Sequence, residues 1–122
     1  MNVIKTFGLT LLLAAAPALA DENAAAALAG ILADMSHFPS EEQKAELAEI
    51  SSRDEVDEDL RTIADAIAGI EHQASDSAEA ELQAIVDDPE AGEAEKTLAA
   101  AVIRFHHQPA EEDAAALQAM AQ

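Results

Sequence analysis

Apolar residues recur along this chain at helical spacing, and they do so three times over. Leu28, Ile31, Leu32 and Met35 stand at i, i+3, i+4 and i+7, one face of a helix. Leu60, Ile63, Ile67 and Ile70 make the second such stripe, and Leu98, Val102 and Phe105 the third. A shorter apolar set trails each one: Ala45, Leu47 and Ile50, then Leu82 and Ile85, then Leu117 and Met120. No stretch alternates with the period of two that a strand requires.

Sliding the chain by 35 residues superposes these stripes without a gap. HFPSEEQKAELAEI (His37 to Ile50) falls on HQASDSAEAELQAI (His72 to Ile85) and on HQPAEEDAAALQAM (His107 to Met120). His37, His72 and His107 form one column and Leu47, Leu82 and Leu117 another. A tandem triplication at this period signals an architecture of stacked units.

Local signals set the expected boundaries. Asp21 or Asn23 caps the first helix, and Pro39 stops it near His37 because a residue before proline is driven out of the α region. Ser40 with Gln43 reads as a capping box for the next helix. The polar run from Ser51 to Asp59 allows a turn, with Ser52 or Asp54 opening the third helix. Ser75 opens a helix from about Asp76 to Val86, Asp88-Pro89 reads as the start of the fifth, Pro109 repeats the break, and Glu111 to Met120 is the sixth. The expectation is an all-α fold of three helical hairpins, as a short α-solenoid first and a compact six-helix bundle second. The repeats span about 21–52, 53–87 and 88–122 of a single domain, 21–122.

One resemblance accompanies this pattern. Leu28-Ala29 followed by Leu32, with its copies Ile63-Ala64, Ile67 and Leu98-Ala99, Val102, is similar to the first-helix pattern of tetratricopeptide repeats, and implies stacked helical hairpins. The second helices depart from that family, since Leu and Ile or Met stand three apart where an Ala, aromatic, Ala spacing belongs.

Residues 1–20 change the picture. Lys5, the apolar run from Phe7 to Ala16 and Ala18-Leu19-Ala20 read as a signal peptide cleaved after Ala20, directing the chain to the periplasm or medium. Asp21-Glu22 follow directly, and the run is too short for a span, so no membrane insertion is expected after cleavage. Cleavage removes one cation and no acid, taking the formal charge from −19 to −20. That charge disfavours nucleic acid and, if it steers any partner, favours a basic protein or peptide. With no cysteine, packing alone must hold the domain.

Chemistry is sparse. No nucleophile elbow, H-E-x-x-H motif or Gly-rich phosphate loop occurs, which points away from an enzyme and from a bound cofactor. Asp54 to Asp59 lacks the spacing of a calcium loop. The histidine column is expected to close the first helix of each unit through the helix dipole. In an open row of units, equivalent histidines stand apart and share no ligand. A separate metal site is the alternative, with His106, His107 and Glu111 as candidates. The functional expectation is a non-enzymatic protein-binding scaffold or adaptor, with a periplasmic Zn or Cu buffer as the second reading.

Overall fold

Alanine-rich amphipathic stretches separated by prolines and polar turns produce six helices over residues 20–122, the part that this computed structural model describes. They are α1 (residues 20–34), α2 (Glu41–Ser51), α3 (Glu58–Ala68), α4 (Asp76–Asp87), α5 (Glu93–Arg104) and α6 (Glu111–Met120). No strand occurs among the described residues beyond isolated bridges. The expected signal peptide lies almost wholly outside them. No described helix is long and apolar enough to cross a membrane.

Burial follows the repeat column by column. Leu28, Ile63 and Leu98 are fully buried, as are Ala29, Ala64 and Ala99, and Leu32, Ile67 and Val102. Met35, Ile70 and Phe105 continue each seam to the helix end. The alanine column matters because a side chain of one carbon lets helices approach closely. The outer helices contribute less: Leu47 and Ile50 from α2, Leu82 and Ile85 from α4, Leu117 from α6. Helix α2 packs on α3, α4 packs on α5, and α3 contacts both α4 and α5. The last residues return to the first helix, where a Cβ on Gly30 would stand 3.6 Å from the Ala121 Cβ.

Several boundaries differ from the expectation. Ser40 does form the capping box with Gln43, and Ser75 accepts the Ala78 N–H. Asp21 and Asn23, however, lie inside α1, and the Asp21 carboxylate accepts the Asp57 N–H at 2.8 Å instead of capping its own helix. Asp57, not Ser52 or Asp54, caps α3, because the buried Val56 anchors the turn and delays the helix start. Asp88 ends α4 and accepts the Glu90 N–H in a local turn, so α5 begins later, with Gly92 as its cap.

Copies differ where the two helices of each hairpin face one another at its loop end. The positions held by Arg104 and Asp113 in the third copy are held by Asp34 and Gln43 in the first, and by Gly69 and Ala78 in the second. Asp113 is 5% exposed, and Arg104 binds it through two N–H···O contacts of 2.9 and 2.6 Å. That pairing holds the Arg104 proton more firmly than usual, mainly by the Asp113 hydrogen bond. Removing one partner alone strands a desolvated group. Arg104→Ala should therefore destabilise the fold by roughly 1–3 kcal/mol in urea unfolding, while Arg104→Gly with Asp113→Ala, which copies the second repeat, should recover most of that loss.

Acids crowd the opposite end, where α1, α3 and α5 begin. Asp59 is harder to ionise than usual, first through burial and then through Asp57, Asp88 and Glu58. Glu95 is raised too, mainly by burial and further by Asp57, Asp21 and Asp59, against a hydrogen bond from its own backbone N–H. A raised folded value stabilises the protonated fold below the ordinary 3.8 and 4.5, a contribution lost as pH climbs through the raised values. Asp59→Asn and Glu95→Gln should each raise the melting midpoint at pH 7, with the advantage shrinking toward pH ~4.

Candidate histidine centre

The loops that join α1 to α2, α3 to α4 and α5 to α6 each contain one histidine with left-handed backbone: φ is 70° at His37, 75° at His72 and 69° at His107. No other non-glycine residue among those described has a positive φ. The flanking residues bond across each histidine in a tight turn, the residue after it donating in the first copy and the residue before it in the second and third. Phe38 N–H donates to the Ser36 carbonyl at 2.8 Å, Glu71 to Gln73 at 3.2 Å, and His106 to Gln108 at 3.1 Å. The inner helix ends three or four residues before the histidine, with Pro39 and Pro109 reinforcing the break in two copies.

These turns meet. His72 N–H donates to the His37 carbonyl at 2.6 Å, His107 N–H to His72 at 2.6 Å, and His37 N–H to His107 at 2.5 Å. Three equivalent donors and acceptors thus close a cycle, and the first copy touches the third as directly as it touches the second. This overturns the expected row of separated histidines. The spacing of helix axes limits residues within helices, but these residues sit on loops that bend inward to a common point. The carbonyls that end α3 and α5 are met by the N–H groups of Gly69 and Phe105, while the backbone N–H groups of the histidines serve one another.

The imidazoles cluster above the cycle. Ring centres lie 5.3 Å apart for His37 and His72, 5.3 Å for His37 and His107, and 4.9 Å for His72 and His107. All three residues are exposed, so solvent reaches the cluster. His106 joins at its edge, 5.4 Å from His107. The His107 imidazolium is disfavoured, its pKa falling below the ordinary 6.5, first through lost hydration and then through His72, His37 and His106. A neutral ring is the form that ligates metal.

Zinc bound at about 2.0–2.1 Å, with each ring centre a further ~1.2 Å beyond its nitrogen, separates tetrahedrally disposed imidazole centres by about 5.2 Å. The three observed spacings bracket that value. The rings now pack edge to face, at 88°, 80° and 62°. In that packing no group of three or more His, Cys, Asp or Glu among the described residues is set to hold a metal ion. Rotation about χ2, a torsion with broad wells, re-aims an exposed imidazole without moving its backbone.

Of the sequence candidates, His106 and His107 belong to this centre. Glu111 begins α6 as an exposed residue, with no hydrogen bond or ion pair to either histidine among the described residues. His37 and His72 are the partners that the sequence candidates omitted. Their shared column was the available signal, but a column alone does not distinguish a row from a ring. Searches of family models, curated proteins and solved structures find no match to this chain.

Holding a side-chain-bearing residue at positive φ costs on the order of 1–3 kcal/mol, a cost that glycine avoids. His72→Gly should keep or raise the melting midpoint, whereas His72→Val, β-branched at the same backbone geometry, should lower it. Thermal unfolding followed by circular dichroism separates the two.

Proposed function

We propose that this is an exported, acidic, non-enzymatic protein that binds a divalent transition metal, Zn²⁺ or Cu²⁺, through His37, His72 and His107. In this reading the three hairpins form a closed six-helix bundle rather than an open solenoid, and the loop end of the bundle is the ligand end. The observation that carries it is the meeting of three imidazoles at the three left-handed backbone positions. Glycine would serve the backbone there at lower cost, so retention of an imidazole in every copy favours a use for the ring. Imidazole nitrogen is a borderline ligand suited to zinc and copper, and the strongly negative surface raises the local cation concentration.

Export rests on the leader pattern of residues 1–20, and a buffering or delivery role outside the cytoplasm agrees with it. The scaffold reading, with a basic protein or peptide as partner, draws its support from the acidity alone once an extended row of hairpins is set aside.

Calorimetry with Zn²⁺ tests the proposal on the mature chain and on His37→Gly/His72→Gly/His107→Gly, which suits the turn geometry while removing all three rings. The mature chain should take up one equivalent with micromolar or tighter affinity in millimolar Mg²⁺, and the triple variant should take up none. Zinc at 100 times the dissociation constant should add about 2.7 kcal/mol of stability, reversed by a chelator. Equal uptake by both proteins would mean that surface carboxylates hold the metal, and would end the proposal.

A further inference from the structure

The residue before each ring-forming histidine is different in every copy: Ser36, Glu71 and His106. Copies that keep the same histidine thus place a hydroxyl, a carboxylate and an imidazole at equivalent points around one centre. Only the third of these is itself in ring contact with the cluster. Neighbours along an extended chain point to opposite sides. The left-handed turn at His107 prevents that here, and its ring centre lies 5.4 Å from that of His106, with the planes tilted by 50°. The His106 N–H to Gln108 carbonyl bond locks the turn. His107 thereby becomes the hub of the cluster, in ring contact with His37, His72 and His106 alike.

Resting on the three-histidine reading above, we infer that His106 supplies the fourth ligand and closes the coordination sphere. A three-ligand site leaves a position open to water or substrate, as catalytic zinc sites do, whereas four protein ligands define a closed site that holds the ion. The pseudo-symmetric ring supplies three equal donors and cannot supply a fourth on its own axis. One copy must break the symmetry, and the third does so with a residue of the right chemistry. The rings of His106 and His107 stand near the value of about 5.2 Å expected for two imidazoles on one tetrahedral zinc, and His106 meets His37 and His72 at the ion only once its exposed ring swings inward. The consequence is a holding site, matched to storage or buffering of the ion, with no vacant position at which a substrate would react.

Co²⁺ substitution reads the coordination number directly, because tetrahedral Co²⁺ absorbs visible light far more strongly than five- or six-coordinate Co²⁺. The mature chain loaded with Co²⁺ should show the intense tetrahedral bands. His106→Ser, which copies the first repeat, should weaken those bands and lower Zn²⁺ affinity at least about 10-fold, the scale on which even changes outside the ligand set register. Glu71→Gln should alter neither. Both 71 and 106 are exposed loop positions, and circular dichroism of each variant checks that the helices persist. If the wild type binds through the three histidines but His106→Ser leaves spectrum and affinity unchanged, the fourth-ligand assignment is overturned while the three-histidine site stands. Loss on Glu71→Gln instead would assign the fourth position to the second copy and overturn it equally. If the wild type binds neither metal, the three-histidine reading fails, and the fourth ligand with it.

Discussion

Three backbone hydrogen bonds, passed from one histidine to the next and back to the first, govern this molecule. A cycle of three equivalent N–H···O contacts forms only if the units are related by a rotation that closes after three steps. Everything on the interior follows from that rotation. The leucine, alanine and branched columns of the inner helices are buried in every copy, α3 meets α5, and α2 and α4 pack against them. A chain built from a single hairpin has no way to hide its apolar seam. Three hairpins together bury the seam columns of every copy.

The two ends of the inner helices carry opposite electrostatic problems. At the loop end imidazole rings crowd together, and lost hydration followed by their mutual proximity disfavours the charged form at His107. At the other end, carboxylates from the beginnings of the inner helices crowd together, and their charged form is disfavoured at Asp59 and Glu95. Carboxylates do have a local reason to be there, since helix N-termini favour negative charge. The imidazole cluster has no comparable reason in helix formation, which is why it is the better candidate for function.

Departures from symmetry are as informative as the symmetry. The facing pair near the loop end is acid and amide in one copy, two small residues in the next, and an ion pair in the last. Only the last of these is paired across the two helices, while the Gln43 amide turns instead to the Ser40 N–H, and the seam columns stay apolar in every copy. Differences before the histidines follow no packing logic, because Ser36, Glu71 and His106 are all exposed. Variation without a packing cause is where a ligand preference can be written.

The sequence alone determined the helices and the repeat. Periodic leucines and branched residues name the buried face wherever they occur, and Ser40, Ser75, Pro39 and Pro109 act on the neighbouring backbone within a turn or two, so their effects were legible. Boundaries failed where a distant group intervened: Asp21 turned to the Asp57 amide, and Val56 was drawn into the core. That the three histidine turns meet was decided only by the tertiary structure. A 35-residue period states how alike the units are and nothing about the angle between them, and that angle is set by how the inner columns interlock. Three histidines separated by 35 residues each become neighbours through that packing, a relation that arises in space rather than from any spacing along the chain.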